Sequence, residues 1–246
     1  MRPIATLALS AVSASLFVGC DGDAAHPDTH PEAAAVTAVA TAAPAPPEVR
    51  APDIVVDPAY IAVGNDRVIG GDPGLADRVS VFLNGRPMIE GRTVDVVVMR
   101  NAKPSQVSAV LVALKRAKAT GAGIKTEARD DSTQRLPMSF DGAPQPCTTI
   151  AWIAKDASID AWPVGGGTAK RIFKGLAGPD MTLGTEAVRS VGARCDASEL
   201  VVGADEAMSW GLVFDLATMV LQAPGARTSK AVLVASAVPG RKLVVE

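Results

Sequence analysis

Histidine and aromatic residues are scarce in this sequence of 246 residues. Only two His residues are present, and Phe, Trp and Tyr together make up 4% of the chain. Both histidines, His26 and His30, lie near the N-terminus. The rest of the chain therefore lacks the imidazole that Ser-His-Asp and Cys-His catalysis and the common zinc sites require. We predict a protein that is not an enzyme and binds no cofactor.

The sequence also lacks a dense cluster of basic residues. Its 24 Lys and Arg residues are balanced by 26 Asp and Glu residues, for a formal net charge of −2. Proteins that bind nucleic acid usually carry a basic stripe, because neutralising phosphates supplies much of their affinity. We predict no nucleic-acid partner.

Residues 1–19 contain no carboxylate and form a short apolar stretch behind a basic start. The stretch is shorter than the ~20 residues that a membrane span normally needs, and its layout is typical of a secretory signal. Residues 16–20 (LFVGC) resemble the bacterial lipobox, in which the cysteine is lipidated and becomes the first mature residue, although Phe17 stands where Leu is usual. We predict a lipoprotein signal peptide over 1–19 and a lipid on Cys20. An ordinary cleaved signal peptide and a short signal anchor are the alternatives.

Residues 21–52 contain little besides Ala, Pro, Thr and acidic residues. No amphipathic period is visible, and Pro46-Pro47 would interrupt any helix. We interpret 20–52 as the lipidated cysteine followed by an Ala/Pro-rich tether. The predicted location is the bacterial cell envelope, lipid-anchored and facing the periplasm, with the inner and outer membranes both possible.

Three cysteines are present. With Cys20 assigned to the lipid, Cys147 and Cys195 remain as an even pair in an oxidising compartment, which favours a disulfide. Two separate buried thiols are the alternative.

Two stretches of the chain show the same order of strand, helix and strand patterns. Pro104 and Ser209 mark the two helix starts, as a first-turn proline and an N-cap. The stretches align at an offset of 104 residues, obtained as 209 minus 105. The predicted strands are Thr93–Met99, Ile124–Ala128, Glu199–Ala204 and Lys230–Ser236.

Each stretch is preceded by an extended segment and a short helix. These are predicted at Ile54–Ile69 and Leu75–Gly85, and at Thr148–Trp162 and Thr168–Gly178. Residues 179–197 are interpreted as an insertion, with a helical turn at 186–191. The recurrence indicates an α+β fold of two tandem β-α-β-α-β repeats, over 53–129 and 148–246, joined by a polar linker at 130–147. A single irregular α+β domain is the alternative.

The second repeat carries a family resemblance at its strand–helix junction. Residues 200–205 (LVVGAD) and 209–213 (SWGLV) resemble the periplasmic domain of the ExbD/TolR family, where a strand VVIxAD leads into a helix that commonly begins Pro-Tyr-Gly-x-Val. Trp210 stands where Tyr is usual, and Gly211 matches. The first repeat is similar more loosely, at 97–101 and 105–107. The resemblance implies a small α+β domain that pairs and serves biopolymer transport driven by proton flow; some relatives contact peptidoglycan.

Family members carry a membrane helix whose Asp takes part in proton transfer, and no such carboxylate exists in 1–19. We therefore do not expect this chain itself to take part in proton transfer. We predict a non-enzymatic accessory or binding module of a transport complex linked to the proton-motive force, with ExbB/TolQ-like or TonB-like partners. A structural lipoprotein that binds peptidoglycan or another envelope polymer is the alternative, and an enzyme that uses carboxylates alone is a third. The repeats are expected to pack together as an internal pseudo-dimer.

A few other patterns suggest chemistry, and each has a structural explanation that we favour. Asp205-Glu206 could pair as acid and base, but acidic residues also stabilise a helix N-terminus. Residues 165–168 (GGGT) lack the spacing of a phosphate-binding loop. Trp152 and Trp162 could stack on a ligand, but core packing is the default. Solvent exposure is the simpler explanation for three further features: the tether residues His26, Asp28 and His30, the pair Asp130-Asp131, and Asp215.

Overall fold

The computed structural model describes residues 53–86, 88–129, 131–140 and 142–244. The predicted signal peptide, Cys20, His26, Asp28 and His30 lie outside the described residues. Residues 47–246 form one compact unit. The described part contains four helices, which are α1 (Leu75–Leu83), α2 (Pro104–Arg116), α3 (Met181–Gly192) and α4 (Trp210–Leu221). Its first six strands are β1 (Ile54–Val56), β2 (Tyr60–Val63), β3 (Asp66–Ile69), β4 (Thr93–Val98), β5 (Gly121–Glu127) and β6 (Thr133–Ser139). The other five are β7 (Thr149–Ile153), β8 (Ile159–Pro163), β9 (Lys170–Ile172), β10 (Glu199–Ala204) and β11 (Lys230–Leu233).

All eleven described strands belong to one mixed sheet, in the order β3-β2-β1-β4-β5-β6-β11-β10-β7-β8-β9. In the first half of the chain, β1 pairs antiparallel with β2 and parallel with β4, and β4 pairs parallel with β5. In the second half, β7 pairs in the same way with β8 and β10, and β10 pairs parallel with β11. A hairpin strand, β3 or β9, forms each outer edge. The order of pairings is therefore the same in both halves, and the mixed α and β composition predicted from the sequence is confirmed.

At the strand–helix junction that carries the resemblance, the corresponding elements are separated by 106 residues. Strands β4 and β10 begin at Thr93 and Glu199, and helices α2 and α4 begin at Pro104 and Trp210; 199 minus 93 and 210 minus 104 both give 106. The predicted offset of 104 is wrong by two residues. Ser105 lies inside α2, whereas Ser209 is the residue before α4, so the two serines do not occupy equivalent positions.

The short helix of the second half lies further along the chain than predicted. The segment 168–178 contains strand β9 and no helix, and α3 occupies much of the segment that was interpreted as an insertion. Gly175 and Gly178 form an isolated bridge that turns the chain after β9. The helix begins only after Asp180, whose carboxylate accepts a hydrogen bond from the Leu183 N–H at 3.0 Å. An N-cap of this kind fixes a helix start more firmly than composition does.

The linker between the halves contains a strand, β6, that fills the centre of the sheet. It pairs antiparallel with β5 along seven residues, from Gly121 opposite Ser139 to Glu127 opposite Thr133. On its other side it pairs with β11 through Met138 and Ala231. Its Leu136 and Met138 side chains are buried. Residues 130–147 therefore join the half-sheets rather than only spacing them.

The main core lies under the helices and spans both halves. It includes Val96 and Leu114 from the first half and Val202 and Phe214 from the second, all at most 1% exposed. A smaller core lies beneath the C-terminal segment and contains Trp152 and Trp162. The Trp162 indole N–H donates to the Arg241 carbonyl at 2.9 Å. The interpretation of Trp152 and Trp162 as core residues is therefore confirmed.

Polar contacts also join the halves at the start of α4. The Asp215 carboxylate accepts two hydrogen bonds from Arg100, at 2.7 and 3.0 Å, and one from Arg129 at 2.8 Å. Its side chain is only 10% exposed, so the expectation that Asp215 faces solvent is wrong. The Trp210 indole N–H donates to the Thr126 hydroxyl at 2.9 Å.

Cys147 and Cys195 are bonded, with the sulfur atoms 2.07 Å apart. Cys147 lies just before β7, and Cys195 follows α3. The predicted disulfide is confirmed, and it ties the start of the central strand of the second half to the end of its first helix.

Candidate functional site

The acidic pair before α4 has a structural role. The Asp205 carboxylate accepts from the Ala207 N–H at 2.9 Å, within the turn that leads into the helix. The Glu206 carboxylate accepts from the Ser105 hydroxyl at 2.7 Å and so connects the turn to α2. Both carboxylates therefore hold the loops that enter the helices.

The glycine run at 165–167 does not form a phosphate cradle. The N–H groups of Gly165, Gly166 and Gly167 donate to the carbonyls of Pro146, Pro163 and Gly240, at 2.7, 2.9 and 2.9 Å. A phosphate-binding loop needs such N–H groups directed at the ligand. Here they hold the chain between β8 and β9 against the linker and the C-terminal segment.

Within the described ranges, no group of three or more His, Cys, Asp or Glu side chains is placed to hold a metal ion. None of the described helices has the length and apolar character needed to cross a bilayer. The remaining candidates for function are one cleft and two surfaces at the ends of the sheet.

The cleft, which we call the α3 cleft, lies between α3, the turn that follows it and the loop after α4. Its volume is about 400 Å³. The wall contains the apolar side chains of Val188, Leu200 and Val220, which are at most 3% exposed. Cys195 also lines it, so the disulfide holds one side of the cleft in place.

Two hydroxyl groups in the α3 cleft have no partner among the described protein atoms. They belong to Thr148 and Thr149, which are 1% and 6% exposed. A buried hydroxyl without a partner costs free energy, because it gives up its hydrogen bonds to water. Both hydroxyl oxygens are buried in the wall, so a ligand group could reach them only after the threonine side chains rotate toward the cleft.

The rim of the α3 cleft carries both signs of charge. Glu186 and Glu199 line it together with Arg189 and Arg227. The Arg189 guanidinium donates to the Pro224 carbonyl at 2.9 Å, and Arg227 donates to Asp196 at 2.8 Å. Because both arginines bond to other groups, Glu186 and Glu199 can accept hydrogen bonds from a cationic or hydroxylated group of a ligand.

One end of the sheet, the β3 edge, forms a shallow groove with α1. We define the β3 edge as Arg67, Val68, Ile69, Asp72, Arg78, Val81 and Phe82, which line a volume of about 460 Å³. Ile69 and Val81 are 69% and 67% exposed. Arg78 pairs with Asp72 at 3.0 Å, so part of the positive charge there is neutralised. The groove is therefore mainly apolar.

The other end, the β9 tip, consists of strand β9 and the turn after it, residues 170–178. Phe173 and Leu176 are exposed there by 73% and 112%. Three cations accompany them, namely Lys170, Arg171 and Lys174. Sequence patterns do not predict this tip, and the helix predicted at 168–178 is wrong, since the segment contains β9.

Two carboxylates behind the β9 tip have opposite pKa shifts. Burial raises the pKa of Asp160, which is 1% exposed and has one carboxylate oxygen without a hydrogen bond. The positive charge of Arg171, whose guanidinium lies 3.9 Å from that oxygen, lowers the pKa in part. The Ser158 hydroxyl and backbone N–H, together with Arg171, lower the pKa of Asp156 to about 2. Neither residue lines the α3 cleft or the β3 edge.

Comparison of the chain with protein-family models, with curated proteins and with solved structures finds no match.

Proposed function

We propose that this chain is a lipid-anchored, non-enzymatic envelope protein that acts as a binding module of a transport complex linked to the proton-motive force. The proposal rests on one observation, the open strand and exposed apolar side chains of the β3 edge. There the outermost strand has no further strand beside it among the described residues, and it exposes Ile69 next to Val81 of α1. Native proteins usually cover or charge such an edge. Strand β3 carries Asp66 and Arg67 at its start, but its end exposes Ile69 beside an apolar groove, and such a surface favours a partner.

The chemistry of the β3 edge suits an extended segment of a partner protein. The open side of β3 offers backbone N–H and C=O groups, and a peptide that joins it as a strand can use them. The groove between Ile69 and Val81 would receive apolar side chains from alternate positions of that peptide. We propose that the partner is an ExbB/TolQ-like or TonB-like envelope protein.

The ExbD/TolR resemblance belongs to the same proposal. The same order of strand pairings in residues 53–129 and 148–246 supports two tandem repeats of one unit. Their continuous sheet through β6 supports an internal pseudo-dimer. The lipid on Cys20, the periplasmic location and the link to proton-driven transport come from the sequence alone.

The proposal is tested by affinity purification of the tagged full-length lipoprotein from its own membranes, with mass spectrometry of the captured proteins. We expect an ExbB/TolQ-like or TonB-like protein, and we expect the double variant Ile69→Asp/Val81→Asp to recover about tenfold less of it. The matched control is Val238→Asp, because Val238 is 57% exposed and lies away from β3.

Recovery of such a partner at equal levels by both variants would remove the β3 edge from the proposal. Recovery of no protein partner by the wild type would contradict the proposal itself.

The α3 cleft favours a second function, binding of peptidoglycan or another envelope polymer. Peptidoglycan fragments carry hydroxyls, amides and both signs of charge, which the charged rim can pair with and which the Thr148 and Thr149 hydroxyls could join if their side chains rotate toward the cleft. Under this alternative, Thr149→Val would weaken binding of soluble peptidoglycan fragments about tenfold, since it removes one hydroxyl and keeps the shape. Thr182→Val, on the exposed side of α3, is the control. Calorimetry that detects no binding by the wild type would exclude the alternative.

A further inference from the structure

We propose that the β9 tip is a membrane-docking site that binds the surface of an anionic phospholipid bilayer. Leu176 is the most exposed large apolar side chain of the described residues, at 112%, and Phe173 is exposed by 73%. Such side chains at a protruding turn can enter the boundary between headgroups and acyl chains, as the apolar face of an interfacial helix does.

The backbone of the tip forms a turn that contains Leu176 and follows Phe173 closely. Strand β9 ends at Ile172, and the Gly175 N–H donates to the Gly178 carbonyl at 2.8 Å, which closes a tight turn. Gly178 has φ +116°, a conformation that favours glycine. Phe173 therefore lies just before a turn that a backbone hydrogen bond closes, and Leu176 lies within it.

The charges of the tip match an anionic surface. Lys170 and Lys174 are exposed, and no carboxylate of the described residues lies within ion-pair distance of either. Arg171 pairs with Asp156 at 2.7 Å and lies 5.7 Å from the centre of the Phe173 ring. Basic side chains beside apolar anchors are attracted by anionic headgroups.

The acidic neighbours of the tip are already engaged. Asp156 pairs with Arg171, and the Asp180 carboxylate caps α3. Two lysines are therefore left to face a bilayer. The β3 edge has fewer such cations, since its Arg78 is paired with Asp72 and the adjacent Arg86 with Asp66 at 2.6 Å. Its Arg67 lies 4.9 Å from the centre of the Tyr60 ring.

A lipid surface fits the tip better than an added strand does. The exposed apolar side chains lie beyond the strand, in the turn. The proposed lipid on Cys20 would bring the tip close to a bilayer, but the binding itself needs only residues 47–246.

The first experiment measures co-sedimentation of oxidised residues 47–246, which contain the complete sheet and core, with vesicles of phosphatidylcholine alone or mixed with phosphatidylglycerol. We expect binding to the anionic vesicles that weakens with added salt. Phe173→Ser/Leu176→Ser should weaken it about tenfold or more, and Lys170→Gln/Lys174→Gln about 30-fold. The matched control, Ile69→Ser/Val81→Ser at the β3 edge, should bind like the wild type.

A second measurement places the tip in the bilayer directly. Residues 47–246 contain no cysteine outside the disulfide, so Leu176→Cys provides one site for an environment-sensitive fluorophore. We expect its emission to shift to the blue on anionic vesicles, and the same label on Ile69→Cys to stay unchanged.

Failure of the folded wild type to bind anionic vesicles would overturn the proposal, and so would equal losses in the tip and β3-edge variants. Capture of a protein through the tip without vesicle binding would assign the tip to a protein partner and also overturn it. Because the β3 edge and Cys20 take no part in these measurements, the result is independent of the proposed transport function.

Discussion

At the scale of single residues, Asp160 and Asp156 show how one strand and its turn can shift two carboxyl groups in opposite directions. Asp160 is buried in β8 with one oxygen unpaired, and burial raises its pKa. Asp156 lies in the preceding turn, where its carboxylate accepts from the Ser158 hydroxyl at 2.7 Å and the Ser158 N–H at 3.1 Å. At neutral pH, ionisation of Asp160 therefore lowers the free energy of unfolding, whereas ionisation of Asp156 raises it.

For Asp160, a raised pKa means that the folded protein keeps a proton that the unfolded chain has already released. As the pH rises above 3.8, the ordinary pKa of an aspartate, stability falls until the folded group also ionises. Asp160→Asn removes this loss, so we expect a higher free energy of unfolding at neutral pH. The gain should shrink as the pH falls below 3.8. Urea unfolding across a pH series measures it.

Asp156→Asn is the control with the opposite sign. The lowered pKa of Asp156 gives stability that is present above 3.8 and is lost as the pH falls through about 2. The substitution should therefore lower stability at neutral pH. A parallel pH dependence in the two variants would contradict the assignment.

The single residues differ in how far the sequence could predict them. Cys147 and Cys195 were predicted to bond because an even number of cysteines remained. Asp215 was placed on the surface because its partners, Arg100 and Arg129, come from distant parts of the chain. Burial of Asp160 follows from its place in β8 between β7 and β9, where it lies opposite Trp152 and Arg171, and no local pattern encodes this placement.

At the scale of elements, the disulfide joins the start of β7 to the end of α3 across a separation of 48 residues. Closing a loop of that length restricts the unfolded chain, which corresponds to about 4 kcal/mol in the chain-entropy model. Cys147→Ala/Cys195→Ala should therefore lower the free energy of unfolding by roughly 3–4 kcal/mol in urea.

Reductant provides the control for the disulfide. It should move the unfolding transition of the wild type toward that of the double variant and leave the variant unchanged. If both transitions moved equally, the lost stability would come from repacking at the two sites rather than from the bond.

The elements predicted from the sequence are those whose apolar residues recur with a clear helical or strand period. Strand β10 was predicted in full, and α2 and α4 followed from apolar faces with marked starts. Helix α3 was predicted only as a helical turn at 186–191, because its N-cap, Asp180, follows a glycine-containing segment that was itself predicted to be the helix. Strand β6 was missed because its seven residues include a proline and polar side chains, and its partner is β5.

The candidate sites were harder to predict than the elements. The α3 cleft combines residues near 148, 190 and 226 of the chain, and neither threonine is marked by a motif. The β9 tip depends on a turn that the sequence reasoning assigned to a helix. Lipidation of Cys20 stays a prediction from the sequence.

At the scale of the whole molecule, β6 covers both inner strands of the half-sheets, β5 and β11. A second copy of the chain is therefore not needed to complete the sheet between the halves. We expect residues 47–246 to sediment as a monomer at micromolar concentration. An obligate dimer would show that the two halves do not suffice for each other.

Strand β6 also has a consequence for the order in which the chain is made. It pairs with β5 along seven residues and with β11 through one residue pair, so its main partner precedes it in the chain. Synthesis begins at the N-terminus, and β5 would otherwise wait with an open edge until β11 emerges. Because β6 follows β5 directly, the first half can cover its own edge early. Until β11 is made, the open edge of the sheet is then β6 itself, whose Arg135 and Pro137 are residues that disfavour edge-to-edge pairing.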